Sequence, residues 1–121
     1  MFKKNVIEGL LEFSRASHPE EGILLLRGEV NVESIMMTDL VFPPMSLTGG
    51  DFASFRSDLL PIDLSVVGVS HSHPSGELRP SLQDLSSYYG RLMVIIAYPY
   101  QTELDIGVFG RDGLKVKFYV E

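Results

Sequence analysis

The sequence lacks cysteine entirely. A chain without cysteine can form no disulfide framework and no thiolate metal site, and it has no thiolate nucleophile. Any nucleophile that this chain uses must therefore be an oxygen atom.

The sequence is also poor in positive charge and in long apolar runs. Its 10 lysines and arginines are outnumbered by 16 aspartates and glutamates, which gives a formal net charge of -6. Nucleic-acid binding needs clustered basic residues, so this balance argues against it. No apolar run approaches the roughly 20 residues of a membrane-spanning helix. Asn5, Glu8 and Glu12 interrupt the apolar start of the chain, which therefore does not fit a secretory signal, and we expect a cytoplasmic protein.

The first half of the chain predicts one helix followed by strands. Apolar residues recur at helical spacing from Lys3 to about Ser17, and Pro19 turns the preceding residue away from helical geometry. The segment GILLLRGEV predicts a buried strand, and residues 32–41 predict a second one. Residues 46–62 suggest a short strand and a short helical turn.

The second half predicts two buried strands, a helix and a hairpin. LSVVGVSHSHP predicts a central strand that ends at two histidines, and RLMVIIAYPY predicts another strand. Ser81 is well placed as the N-cap of a helix that ends at Gly90. Alternating runs around Asp112-Gly113 predict a hairpin. We therefore expect a single α/β domain over residues 1–121, with a mixed, mostly antiparallel sheet flanked by two helices.

Two of the three histidines stand on alternate residues, His71 and His73. Side chains alternate along a strand, so both imidazoles project to the same side and can bind one metal ion. Catalytic zinc sites usually have three protein ligands and one open position, and Asp84 in the first turn of the following helix is the natural third ligand. Ser81 followed by Asp84 also resembles a capping box, in which Asp84 only returns a hydrogen bond to the start of the helix.

A catalytic zinc site also needs a general base. Glu20, Glu21 and Glu77 are the candidates, and the residues alone do not decide among them. Ser81 could donate a hydrogen bond to the oxyanion that develops on the attacked carbonyl. His18 lies beside two of these glutamates, but we interpret it as part of the turn that ends the first helix.

The segment HSHPSGELRPSLQD resembles the JAMM (MPN+) metalloprotease signature, which is His-x-His, seven residues, Ser, two residues, Asp. HPEEGILLLRG is similar to the Pro-x-Glu segment of the same family and aligns Glu21 with its catalytic glutamate. The resemblance covers essentially the whole chain and implies a compact prokaryotic member with a cytidine-deaminase-like JAMM/MPN fold. It further implies one Zn²⁺ held by His71, His73 and Asp84, with Glu21 as general base and Ser81 supporting the oxyanion.

The resemblance also implies a substrate. Family members hydrolyse isopeptide or peptide bonds after the C-terminal glycine of ubiquitin-like proteins, and compact members act on small modifiers or sulfur-carrier proteins that end in Gly-Gly. The family binds the substrate tail in a groove, which we expect at residues 49–55 near Phe52 and Phe55, where strand addition is feasible. Two alternatives stay open: a non-catalytic scaffold with a structural zinc, and a hydrolase of small amides or thioesters.

Overall fold

The computed structural model describes residues 1–42, 47–49, 52–54, 65–86, 88 and 90–121. Two α-helices and eight strands follow one another within these ranges, and a short 3-10 helix at Glu103–Asp105 precedes the seventh strand. Their bounds are α1 (Lys4–Ser17), β1 (Ile23–Val30), β2 (Ile35–Val41), β3 (Leu47–Gly49), β4 (Phe52–Ser54), β5 (Val66–His73), α2 (Leu82–Ser86), β6 (Leu92–Ala97), β7 (Ile106–Phe109) and β8 (Lys115–Val116).

Six of the strands form one sheet in the order β2-β1-β5-β6-β7-β8. Among the strands that the structure describes, β5 and β6 are the only parallel neighbours, and the connection between them carries α2. The other neighbours in this sheet are antiparallel. β3 and β4 form a separate two-stranded antiparallel sheet. The predicted fold class, a mixed and mostly antiparallel sheet flanked by helices, is confirmed.

The sheet is covered on both faces by apolar side chains. α1 places its buried side chains against the face that carries Leu24, Leu26, Val94 and Ile96. The opposite face carries a second cluster, against which side chains of the β5–β6 connection pack: Ile23, Leu25, Val69, Met93, Ile95, Phe109, Leu78 and Tyr88. Each fully buried aliphatic side chain contributes about 1.5–3 kcal/mol, so these two layers supply most of the stabilisation. No helix within the described residues is long and apolar enough to cross a membrane.

Gly28 marks an irregularity between β1 and β2. The register between the two strands shifts between Arg27 and Gly28, and a Cβ atom on Gly28 would lie 2.3 Å from the backbone oxygen of Met36. A carbonyl oxygen in the middle of a sheet cannot move away cheaply, so only glycine fits here.

One local prediction differs from the structure. The helix after Ser81 ends at Ser86, not at Gly90. Gly90 does not end a helix. At Gly90 the backbone passes so close to β5 that a Cβ atom would lie 2.7 Å from the carbonyl oxygen of Val67. Glycine therefore allows the chain to enter β6 at this position. The predicted hairpin is present as β7 and β8, but β8 has only two residues. The helical turn expected within residues 46–62 lies outside the described residues.

Candidate metal centre

The two histidines lie at the end of β5, beside the start of β1. His71 pairs with Ile23 across the β1–β5 ladder, and the Gly22 carbonyl accepts the amide hydrogen of Ser72 at 3.0 Å. This register brings Glu21, which precedes β1, to the end of β5. Glu21, His71 and His73 are 3%, 1% and 7% exposed, respectively. A surface turn would leave such polar side chains in water, so their burial indicates a site rather than a simple turn.

Asp84 reaches this group from the first turn of α2. Its Oδ2 atom accepts the backbone N–H of Ser81 at 2.9 Å, and its own N–H donates to Ser81 Oγ at 3.0 Å. The capping box is therefore formed. The same Oδ2 atom also lies 2.9 Å from His73 Nε2, so the cap and the contact with the histidines coexist.

Glu21, His73 and Asp84 are close enough to share one ion, and His71 lies beside two of them. His71 Nδ1 lies 3.7 Å from Glu21 Oε1 and 3.7 Å from Asp84 Oδ1. One ligand atom each of Glu21, His73 and Asp84 lies within 4.8 Å of the others. Ligands of tetrahedral zinc at about 2.1 Å stand about 3.4 Å apart, and the separations of 2.9 and 3.7 Å between histidine and aspartate atoms lie on either side of that value.

The β5–β6 connection fixes the orientation of His73. Its Nδ1 atom lies 2.9 Å from the backbone oxygen of Glu77. A carbonyl oxygen can only accept, so Nδ1 carries the proton, and in the neutral ring Nε2 presents its lone pair to the site. Such a second hydrogen bond is the usual support of a histidine that binds a metal.

His71 gives the clearest indication of a missing ligand. Among the described residues, neither of its buried ring nitrogens has a hydrogen-bond partner. An unpaired buried polar atom costs about 1–3 kcal/mol, and a metal ion bound to one nitrogen would remove part of that cost. Two imidazoles and a carboxylate are also a standard ligand set for zinc, so the residues present fit Zn²⁺.

The electrostatics keep the aspartate ionised. Burial opposes the charge on Asp84, but the hydrogen bond from His73, the charge of His71 and the N–H of Ser81 together lower the pKa of this carboxyl to about 2. Burial also lowers the pKa of His73, yet its hydrogen bonds to Asp84 and to the Glu77 carbonyl more than offset this and raise that pKa. Without a metal, Nε2 can therefore carry a second proton that it donates to Asp84, and a metal ion bound at Nε2 would replace that proton. At neutral pH Asp84 is therefore the carboxylate that a metal requires.

A cleft of about 250 Å³ opens onto the site. Glu21, His73, Pro74, Ser75, Glu77 and Ser81 line it. Ser81 is exposed at its rim, and Glu20 and Glu77 are exposed as well. Glu77 also forms an ion pair with Arg79 at 2.7 Å. Of the three glutamates considered as a base, only Glu21 is buried beside the histidines.

The described residues include only part of the predicted substrate groove. Phe52 begins β4, which pairs with β3, and Phe55 lies outside the described residues. The hypothesis of strand addition at these two residues stays a prediction.

Two contacts beside the site were not predicted from the sequence. Ser72, which lies between the histidines and points to the opposite face, accepts the Gly22 N–H on its Oγ at 2.7 Å. His18 shares a hydrogen bond of 2.9 Å with the hydroxyl of Tyr100. The position of Ser72 between two ligand candidates was a usable signal, but no local pattern indicates a contact between residues 82 positions apart.

The sheet and helix α2 present two histidines and an aspartate beside a buried glutamate, at the edge of an open cleft. This arrangement is typical of the class of metal-dependent hydrolases. Comparison with known proteins narrows this class. The family model described as prokaryotic homologues of the JAB domain matches residues 3–106. The chain therefore belongs to the prokaryotic JAB family, and the resemblance to JAMM proteins is confirmed.

Two proteins with similar sequences have names that describe them as proteases. A probable metalloprotease of Haloferax volcanii is 39% identical over 116 residues, which cover 90% of this chain and 71% of the relative. A probable TtuB-protein conjugate cleaving protease of Thermus thermophilus is 30% identical over 118 residues, which cover 91% of this chain and 72% of the relative. The chain is a metalloprotease of the JAMM class.

Solved structures agree. A structure reported as a JAMM metalloprotease-like zinc site in the proteasome and signalosome has a TM-score of 0.73 and 30% identity, covering 99% of this chain and 95% of the other. A JAB1/MPN domain protein from Archaeoglobus fulgidus has a TM-score of 0.73 and 33% identity, covering 98% and 96%. Zn²⁺, the cofactor predicted from the sequence, is thereby confirmed.

Proposed function

We propose that this metalloprotease is an isopeptidase or peptidase that hydrolyses the bond after the C-terminal glycine of a ubiquitin-like modifier or sulfur-carrier protein. The observation that carries the proposal is the buried group of Glu21, His71, His73 and Asp84 at the edge of an open cleft. The Thermus thermophilus relative, whose name refers to TtuB-protein conjugates, supports the substrate class.

His71, His73 and Asp84 would hold the Zn²⁺. The bound ion would lower the pKa of a water molecule towards neutrality and polarise the attacked carbonyl. Asp84 contributes a full negative charge, and the Glu77 carbonyl holds His73 in the tautomer that offers Nε2. Three ligands leave a fourth position for water or substrate, which a purely structural zinc site would fill with protein.

Glu21 acts as the general base in this proposal. Its carboxylate is buried, lines the cleft and lies 3.7 Å from His71 Nδ1. It takes a proton from the attacking water and then gives that proton to the leaving amine, as one positioned carboxylate can do in both steps. The runner-up, Glu20, is exposed, which favours Glu21.

Ser81 supports the oxyanion. Its Oγ atom accepts the Asp84 N–H at 3.0 Å, so the hydroxyl hydrogen is left to donate elsewhere. Because Ser81 lines the cleft, that hydrogen can reach the oxygen of a substrate carbonyl held there.

The cleft favours an extended chain over a small metabolite. Pockets that enclose small ligands usually have volumes of about 300–1,000 Å³ and bury most of the ligand. A cleft of about 250 Å³ that is open to solvent admits a glycine tail, whose residues have no side chains, while the folded part of the substrate stays outside. Strand addition near Phe52 and Phe55 would hold the residues that precede the tail.

The scaffold alternative has one observation in its favour. The capping box gives Asp84 a structural role that needs no chemistry. It does not account for the burial of the Glu21 carboxylate beside the histidines.

The test is cleavage of a fusion in which a sulfur-carrier protein with a Gly-Gly end is joined to a reporter, followed by gel and mass spectrometry. We expect zinc-dependent cleavage after the last glycine. Glu21→Gln should abolish it while the protein keeps its zinc, and the matched variant Glu20→Gln should cleave like the wild type. No cleavage of any Gly-Gly-tailed protein by the zinc-loaded wild type would favour the scaffold.

A further inference from the structure

Three aromatic side chains form a group beside the metal centre, and we call His18, Tyr98 and Tyr100 the aromatic clamp. His18 stacks on Tyr98 with ring centroids 4.9 Å apart, and Tyr100 meets both rings edge-on. The Tyr100 hydroxyl and His18 Nδ1 share a hydrogen bond of 2.9 Å. The clamp thus joins the α1–β1 connection to the connection that follows β6.

Both joined segments end at the metal centre. His18 stands three residues before Glu21, and the intervening turn is closed by the Glu20 N–H, which donates to the Ser17 carbonyl at 3.0 Å. On the other side, the Tyr98 N–H donates to the His73 carbonyl at 3.0 Å. The clamp therefore ties the segment that carries Glu21 to the strand end that carries His73.

Tyr100 is the fixed side of the aromatic clamp, because its own contacts hold it in place. It is 1% exposed, and Arg15 of α1 donates a hydrogen bond to its carbonyl. Its backbone has φ of 57°, a left-handed conformation that a bulky residue adopts only where the surroundings enforce it. Burial, then neighbouring Tyr98 and then the charge of Glu21 raise the pKa of its hydroxyl.

Glu21 has a separate anchor on its other side. The Gly22 N–H donates to Ser72 Oγ at 2.7 Å, and β1 begins at the next residue. The clamp supplies the matching anchor on the N-terminal side, where no strand pairing holds the chain. A backbone that is anchored on both sides of Glu21 limits how far its side chain can shift when the substrate binds.

We propose that His18 and Tyr100 are positioning residues that hold the Glu21 carboxylate in place through the hydrogen bond between them. The inference rests on the proposed function, in which Glu21 is the general base. Neither side chain touches the reacting atoms, so both act through Glu21.

Tyr100→Phe and His18→Phe test the clamp, because each removes the hydrogen bond and keeps an aromatic ring. Tyr88→Phe is the matched control: its hydroxyl donates to the carbonyls of Arg91 and Phe109 at the other end of β6. Displacement of a catalytic group by about 1 Å can cost about 100-fold in rate. We expect kcat to fall about 10–100-fold in both clamp variants, with KM and zinc content within about twofold of wild type. A kcat no lower than that of Tyr88→Phe would overturn the proposal.

Hydrogen exchange of the Gly22 amide gives a readout that does not depend on the substrate. In the zinc-loaded protein we expect both clamp variants to speed this exchange about fivefold or more, while Tyr88→Phe leaves it unchanged. Equal exchange in all proteins would overturn the clamp whatever the activity. Failure of the wild type to cleave Gly-Gly-tailed proteins would instead count against the proposed function, so the two failures are distinguishable. His18 is exposed, so its variant remains informative if Tyr100→Phe does not fold.

Discussion

Substitution of Asp84 separates its observed role as the cap of α2 from its proposed role as a metal ligand. The side chain is 4% exposed and its Oδ2 atom contacts both the Ser81 N–H and His73 Nε2 at 2.9 Å. Asp84→Asn keeps an oxygen that can cap the helix but removes the charge. Asp84→Ala removes both. The pair of variants therefore measures the cap and the charge independently.

The contacts set the expected size of each effect. Loss of a helix cap costs about 0.5–2 kcal/mol. Loss of a buried hydrogen bond to a charged group costs about 1.5–3 kcal/mol. Because one oxygen makes both contacts, the two terms do not add fully. For the metal-free protein we expect Asp84→Ala to lower the free energy of unfolding by about 2–4 kcal/mol and Asp84→Asn by about 1–2 kcal/mol.

Two assays distinguish the capping role of Asp84 from its proposed ligand role. Urea unfolding in the presence of a chelator gives the stability of the metal-free proteins, and elemental analysis of protein purified without chelator gives the zinc content. We expect about one zinc per chain in the wild type and far less in both variants. Zinc retained by Asp84→Ala at the wild-type level would refute the ligand role. Equal stability losses in the two variants would refute the reasoning about the cap.

Three further predictions concern the cleft and its loop. Glu21→Gln should lower kcat by about 10²–10⁴-fold with zinc content unchanged, measured by fusion cleavage and elemental analysis; a smaller loss would assign the base elsewhere. Ser81→Ala should lower kcat by about 10–10³-fold with little change in KM, and it should also destabilise the fold by about 1 kcal/mol in urea. Gly76→Ala should weaken zinc binding in a chelator competition, because Gly76 has φ of 83° and precedes the carbonyl that orients His73. An unchanged zinc affinity in Gly76→Ala would contradict this account.

The sequence could place the ligand candidates near one another because their spacing is local. His71 and His73 share a face by simple alternation, and Ser81 and Asp84 lie in one helical turn. The choice between capping and metal binding for Asp84 had no local solution, and the structure shows that one oxygen atom caps α2 and also contacts His73. An either-or interpretation was too narrow here.

The choice of base needed information that residues alone do not contain. Glu20 and Glu21 differ by one position, and in extended backbone that difference reverses the side on which a side chain lies. Only the pairing of Ile23 with His71 determines which of them faces the histidines. The length of α2 was mispredicted because tertiary contacts, which a local pattern does not contain, determine it. A helix of five residues is too short to be stable alone, and its cap and its contact with His73 stabilise it.

Gly28 has a consequence for where the proposed base ends up. The first four residues of β1 are all apolar and buried, so turning the strand over by a slip of one residue would still bury apolar side chains on both faces. Hydrophobic burial therefore cannot specify which side of β1 faces which layer. Gly28 can specify this orientation, because a slip of one residue would bring a residue with a side chain against the Met36 carbonyl. A glycine seven residues from Glu21, about 23 Å along the strand, thus helps to fix the face of β1, and the pairing of Ile23 with His71 then places Glu21 beside the histidines.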